Sequence, residues 1–296
     1  MCGIAGSIWF DPGRALDEAV LRRMTGVLAH RGPDDQGYFE SAFHLQAPLP
    51  ASPGVALGHR RLAIIDPAGS NQPIANEDRT VWLIFNGQGY NFRDLRRRLQ
   101  GSGHRFATDG DTETLVHLYE DEGTNFLRHV NGMFALALWD ARKRRLILAR
   151  DRLGKKPLVY AEQPGRLLFA SELKSLLEVP GVAREVDPAA IDSYLTFGYV
   201  PHPATIFRGI HKLPPGHFAV YDESSLAVAP YWSPDFGEEH PRPPAEYIAD
   251  VKQLLTSAVE LRMQSDVPLG AFLSGGVDSS IVAALMQRLS GERIKT

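Results

Sequence analysis

Four short apolar runs, FALALW (134–139), RLILAR (145–150), PLVYAE (157–162) and RLLFAS (166–171), follow one another with only turn-forming residues such as Asp140 and Gly165 between them. Each is too short for a stable helix and long enough for a buried strand. Brief connections join antiparallel neighbours, because a parallel crossover consumes about a dozen residues or more. The stretch therefore predicts an antiparallel meander. Upstream, GIAGSIWF (3–10) reads as a strand feeding a helix in which Val20, Leu21, Met24, Val27 and Leu28 recur at helical spacing. LAIID (62–66) and VWLIFN (81–86) read as buried strands, and a helix over 91–100 presents Phe92, Leu95 and Leu99 on one face. Asp111 stands at the N-cap position of TETLVHLYED, with Glu113 in its first turn. Many short strands with helices before and between them predict a layered α and β domain whose sheet is largely antiparallel.

The texture then changes. GYVPHPATIF, KLPPGHF and SPDFGEEHPRPPAE concentrate proline, which predicts a connector with little regular structure between roughly 200 and 245. Beyond it, Ile248, Val251, Leu254, Leu255, Ala258, Val259 and Leu261 mark a second amphipathic helix, and the strand-like PLGAFL runs through SGGVDSS into a third, SIVAALMQRL. The expected division is a first domain over 1–205, a Pro-rich connector over 206–245 and the beginning of a second domain over 246–296. One strand and two helices are less than a doubly wound domain, so the chain is expected to stop inside that second domain.

Charge and cysteine content narrow the partners. At 296 residues, 44% hydrophobic and 23% charged, the chain has apolar material for two cores. A net charge of -3 gives no electrostatic reason to expect nucleic acid or an anionic membrane, and RDLRRRL (93–99) and ARKRRL (141–146) read as solvated faces or turns. No apolar run approaches the ~20 residues that span a bilayer, and no leader is visible, so a cytoplasmic protein is expected. The one cysteine, Cys2, cannot form an internal disulfide. By itself it reads as a small buried residue opening a strand. Its place after Met1 offers another reading: removal of the methionine would leave thiol and free α-amino group on one residue. That amine, with a pKa of about 7.7–8.0, could take the thiol proton near neutral pH.

The motifs MCGIAG (1–6), HRGPDDQG (30–37), HRRLAIID (59–66), FNGQGYN (85–91), TDGDTETL (108–115), NGMFALALWD (131–140), RDRLGKKPL (150–158) and FASELKSL (169–176) occur in one order. Together they resemble the class II glutamine amidotransferase domain of glutamine-hydrolysing asparagine synthetases, and FGYVPHPATIFRGIHKLPPGH and SDVPLGAFLSGGVDSS extend the likeness along the chain. The resemblance implies an α+β fold, a four-layer αββα N-terminal-nucleophile sandwich, followed by the start of an α/β doubly wound ATP-pyrophosphatase domain. It assigns Cys2 as nucleophile towards glutamine, with the Asn86 amide and the Gly87 N–H receiving the oxyanion. Arg61 would take the glutamine α-carboxylate, for which a planar guanidinium is suited, and Asp111 the α-ammonium, beside Gln88. Arg31 and Asp34 would brace the loop around the nucleophile. Asn-Gly is also a common hairpin signal, and Asp111 also reads as a cap. The chain departs from the family's usual NGEIYN: Gln88 replaces a carboxylate and Gly89 a bulky residue, from which altered glutamine affinity and a more mobile loop are expected.

In the second segment, the small-residue loop of SGGVDSS before a helix aims backbone N–H groups at an anion, and it is not a Walker A sequence. The resemblance assigns Leu273, Ser274, Gly275, Gly276 and Ser279, with Asp278, to ATP phosphates, and Asp278 to Mg2+. The implied activity is hydrolysis of glutamine to supply ammonia for ATP-dependent amidation of aspartate, through an aspartyl adenylate, with segments beyond Thr296 needed for the second half-reaction. Glutamine, aspartate and ATP are the expected small-molecule partners, the glutaminase half needs no cofactor, and a homodimer is compatible with the sequence. The alternatives are an amidotransferase acting on another carboxylate, a stand-alone glutaminase, and a non-catalytic module retained for a partner surface.

Overall fold

The computed structural model describes residues 1–41, 53–223, 225–237 and 241–296, and the chain divides into two compact units: Met1–Ala63 with Ala68–Ser233, and Ile64–Pro67 with Pro234–Thr296. In the first unit β1 (Gly3–Trp9), α1 (Glu18–Gly26), β2 (Asp35–Glu40), β3 (Gly54–Arg61), β4 (Ile74–Ala75) and β5 (Val81–Gly89) lead into α2 (Phe92–Gly101) and α3 (Asp111–Glu122). Then come β6 (Gly132–Asp140), β7 (Arg145–Arg150), β8 (Val159–Gln163), β9 (Arg166–Ala170), α4 (Leu173–Leu176), α5 (Pro188–Phe197), β10 (His211–Lys212), β11 (His217–Tyr221) and β12 (Leu226–Pro230). The strands form two antiparallel sheets, ordered β10-β8-β9-β1-β3-β2 and β12-β11-β7-β6-β5-β4.

Strand alternation explains the layering. In β1, Ile4 and Ile8 face the opposite sheet while Ala5 and Trp9 lie beneath α1; in β5, Ile84 faces between the sheets while Leu83 and Phe85 lie beneath α2 and α3. Strands buried on both faces need apolar residues at odd and even positions, which is why VWLIF and FALALW are continuous rather than alternating. The helices close the outside: Leu95, Leu99, Leu115 and Leu118 over one sheet, Leu21, Met24 and Leu176 over the other. The result is the four-layer αββα sandwich that the resemblance implies.

Several local readings need correcting. The four apolar runs do not form one meander: β6 and β7 pair in one sheet, β8 and β9 in the other. The chain changes sheets through the loop after Arg150, which the Asp151 carboxylate shapes by accepting the backbone N–H groups of Phe134, Leu153, Lys155 and Lys156 at 3.0–3.1 Å. Periodicity reports that a run is a strand, not which sheet receives it. LAIID is not a strand: the ladder ends at Arg61, and Ile64–Pro67 belong to the second unit, where the Asp266 N–H donates to the Ile64 carbonyl at 3.0 Å. Gly110, not Asp111, occupies the N-cap of α3; Asp111 is its first helical residue and turns its carboxylate to another task. The stretch read as a connector carries β10, β11 and β12, whose edge pairing tolerates the prolines at strand ends.

In the second unit α6 (Pro244–Arg262) and α7 (Val277–Leu289) pack together, each burying a single residue, Val259 and Met286. PLGAFL forms no strand; Gly270 makes an isolated parallel bridge with Lys295. A strand is defined by its neighbours, and none of the described residues supplies a ladder there. Ile248, Val251, Leu254, Ile281 and Val282 are exposed. Among the described residues, no helix is long and apolar enough to cross a membrane.

Candidate active site

Register brings the first set of site residues together. Gly3 lies opposite Arg60 across the β1–β3 pair, which sets Cys2 beside Arg61 and Leu62. Cys2 shares its strand face with Ile4 and Ile8, and Arg61 shares that of Val55 and Leu57, so both look into the space between the sheets. From the other sheet Asn86 and Gln88 follow Ile84 on the face that looks back. His59 joins the two sheets: its Nε2–H donates to the Phe85 carbonyl at 3.2 Å, and burial pushes its pKa down to about 3, so the ring is neutral.

Cys2 is held at several points. The Leu62 N–H donates to its Sγ at 3.4 Å, and Arg31 Nε donates to its carbonyl oxygen at 2.9 Å while Arg31 Nη1 reaches Glu172 at 2.7 Å. Burial raises the thiol pKa; the Leu62 hydrogen bond and the Lys156 cation oppose the rise, and the Asp111 carboxylate adds to it. The α-amino group, which here belongs to Met1, is shifted down by burial. A raised thiol beside a lowered amine widens the gap across which a proton would pass, so the Leu62 N–H and the Lys156 cation are what act to stabilise the thiolate. Asp34 fixes the neighbouring turn by accepting from the Ala63 N–H at 2.9 Å, and its own N–H donates to the Arg61 carbonyl at 3.0 Å.

The Asn86 side chain is fully buried, yet among the described residues neither its Nδ2 nor its Oδ1 has a hydrogen-bond partner. Gly87 cannot carry a side chain, since a Cβ would lie 2.3 Å from the Met133 carbonyl oxygen. Its backbone polarity follows from the ladder. Opposite it, Phe134 turns both backbone groups to Asp151 on the side away from β5, its N–H donating to the Asp151 carboxylate and its carbonyl accepting from the Asp151 N–H, so the Gly87–Phe134 pair is of the non-hydrogen-bonded kind. The Gly87 N–H therefore points away from β6, in the direction of the Phe85 and Gly89 N–H groups. Those two are taken, by Gln72 Oε1 at 2.6 Å and by Asp111 Oδ2 at 2.8 Å. The bond to Asp111 also corrects the expectation of a mobile loop: Gly89 is the buried last residue of β5. Burial lifts the Asp111 carboxyl to about 6 against this bond and those within its own turn. Arg61 is buried, with Nη1 donating to Asn71 Oδ1 at 2.6 Å, and Gln88 is buried as well.

Sequence reasoning missed Lys156. Its side chain is buried, burial and the Arg31 guanidinium push its pKa down, and the Cys2 thiol is among the charges that act on it. RDRLGKKPL was used as a motif without assigning the lysine, because only the Asp151-organised loop carries it to Cys2. Glu172 and Asn71, the partners of Arg31 and Arg61, were missed for the same reason.

The second set lies in the other unit. Gly275 adopts a φ of +81°, a conformation that favours glycine, and turns the chain into α7. Gly276 is the N-cap and offers no side-chain cap, while Ser274 Oγ and Ser279 Oγ stand 3.1 Å apart. The outward first-turn N–H groups and these hydroxyls are a donor set suited to phosphate oxygens. Leu273 is exposed ahead of them. Asp278 stands in the first turn, and no described His, Cys, Asp or Glu residues gather with it into a three-ligand set. It fits Mg2+ as a single carboxylate supplemented by phosphate oxygens and water, the usual way this ion is held.

The fold is that of a glutamine amidotransferase domain, and the chain belongs to that family: residues 1–232 match the glutamine amidotransferase domain, and residues 250–296 match the asparagine synthase family. It is 36% identical over 288 residues to asparagine synthetase [glutamine-hydrolyzing] 3 of Bacillus subtilis, covering 96% of this chain and 45% of that protein. To a putative asparagine synthetase [glutamine-hydrolyzing] of Mycobacterium bovis it is 38% identical over 307 residues, covering 97% of this chain and 46% of that one. It therefore spans less than half the length of either relative. The structure described as the allosteric regulatory enzyme of purine biosynthesis is similar in fold, with a TM-score of 0.54 at 18% identity over 99% of this chain and 64% of that one.

Proposed function

We propose that this chain hydrolyses glutamine with Cys2 as the nucleophile, Met1 having been removed, and that the ammonia serves ATP-dependent amidation of aspartate. The observation that carries the reading is the Asn86 carboxamide, fully buried without a partner among the described residues, on the face it shares with Gln88, opposite Cys2 and Arg61. An unsatisfied buried polar group costs about 1–3 kcal/mol, and a substrate oxygen that becomes an oxyanion offsets that cost when it matters most.

The Cys2 amine takes the thiol proton, and Sγ attacks the glutamine side-chain carbonyl carbon. The resulting oxyanion accepts hydrogen bonds from Asn86 Nδ2–H and the Gly87 N–H. As the C–N bond breaks, the nitrogen leaves as ammonia with the amine's proton, and a thioester remains. Water then cleaves the thioester, glutamate departs, and the thiol regains a proton. Arg61 holds the substrate carboxylate, Asp111 its ammonium, with Gln88 beside them, and the Lys156 cation favours the thiolate.

In the second unit the loop from Leu273 through Ser274, Gly275, Gly276, Asp278 and Ser279 holds ATP phosphates, with Asp278 ligating Mg2+. Bound there, ATP would activate the acceptor carboxylate; the names of the two relatives point to aspartate as that acceptor. The test is to incubate the chain with glutamine and measure glutamate and ammonia, with and without ATP, Mg2+ and aspartate. Release of both products without ATP is expected; no release under either condition overturns the reading.

A further inference from the structure

Behind the first site, α3 carries a second cluster that the glutaminase chemistry does not use. His117, buried to 1% exposure, meets Glu120 Oε2 at 2.9 Å and Glu77 Oε2 at 3.9 Å through Nδ1. The His104 ring lies beside it, tilted by 42°, with centroids 4.8 Å apart. Glu77, His104 and His117 can each bring one donor atom within 4.8 Å of the other two.

We propose that Glu77, His104 and His117, with Glu120 as the fourth donor, form a binding site for a divalent cation of the zinc class. Two imidazoles with carboxylates suit Zn2+ and its neighbours, whereas Mg2+ and Ca2+ prefer oxygen alone. Zn–N and Zn–O bonds of ~2.0–2.2 Å put tetrahedral donors ~3.3 Å apart. The Glu120–His117 and Glu77–His117 spacings bracket that value. The remaining closure falls to Glu77, whose side chain is 55% exposed and can move, while buried His117 is the fixed ligand.

The surrounding groups are placed as supports. Among the described residues His117 Nε2 has no hydrogen-bond partner, and it faces Glu113 Oε1 at 3.7 Å, the carboxylate–imidazole–metal order common around ligating histidines. Glu113 is itself fixed by the Ala107 and Thr108 N–H groups at 2.7 Å. Asn76 Nδ2 holds Glu120 Oε1 at 2.7 Å, which leaves Oε2 towards His117, and Asp121 takes His104 Nε2 at 2.9 Å, which leaves Nδ1 for the ion. An ion here would tie α3 to the segments that carry Glu77 and His104.

The test uses the full chain with Cys2→Ala, so that the thiol cannot bind metal. Equilibrium dialysis against micromolar Zn2+ is expected to leave one ion per chain, with a rise in Tm of about 3–5 °C at tenfold excess over Kd. Adding Glu77→Ala and His104→Ala, both at partly exposed side chains, should abolish the bound ion and the rise while circular dichroism stays unchanged. No retained Zn2+, an equal Tm rise with Mg2+, or retention by the triple variant each overturns the site. None of these readouts depends on glutaminase activity.

Discussion

The two units use similar apolar residues to different ends. In the first, Leu83, Phe126, Leu136 and Leu148 are fully enclosed by sheet and helix, and a buried polar site is built between the sheets. In the second, α6 and α7 bury Val259 and Met286 while Leu254 remains 68% exposed among the described residues, and the proposed site is a loop of backbone donors at a helix start. A side-chain site needs a closed core to hold its geometry, and the first unit supplies one, whereas a phosphate site of the kind proposed for the second draws its donors from a turn and a helix N-terminus.

This contrast can be broken at several points. Cys2→Ala should reduce glutaminase activity to the blank rate with fold retained, read by glutamate release and circular dichroism. Phe126→Ala, in the enclosed core, should cost about 3–5 kcal/mol in urea unfolding. Asn86→Ala should lower kcat about 10²–10³-fold with a smaller change in KM, because its donor acts on the oxyanion.

Asp111 supplies the pH test. Burial lifts its carboxyl to about 6, and in the proposed role it must be ionised to pair with the substrate ammonium, so KM for glutamine should rise about tenfold per pH unit below 6. For stability the sign is opposite: with a folded pKa raised from 3.8, the group favours the folded state at low pH and that contribution is lost as pH rises to about 6. Asp111→Asn should therefore lose glutamine binding while gaining stability above pH 6. The smallest effect belongs to the second unit, where Leu254→Ala should change stability by less than about 0.5 kcal/mol. A loss there as large as that of Phe126→Ala would erase the distinction between the units.

The strands of the first unit were legible because they are short and doubly buried, and α1, α2, α6 and α7 because their apolar spacing is helical, while the four-layer arrangement came from the family resemblance. Sheet membership was not, since β7 and β8 part company at the Asp151 turn, whose hydrogen bonds leave no periodic trace. PLGAFL failed for a related reason: a strand signal has no effect without a neighbour. Cys2, Arg61, Asn86, Gly87 and Asp111 came from motif resemblance, and register explains why those motifs converge. Lys156 and Glu172 were invisible because each matters only through a residue distant in sequence.

The most direct measurement is covalent labelling with a glutamine analogue that carries an electrophilic diazoketone in place of the side-chain amide, followed by intact-mass and peptide mass spectrometry. One label per chain, on a Cys2 that begins the polypeptide, is expected, and excess glutamine should protect it. A retained Met1 with no label, or a label on any other residue, would show that Cys2 is not the nucleophile.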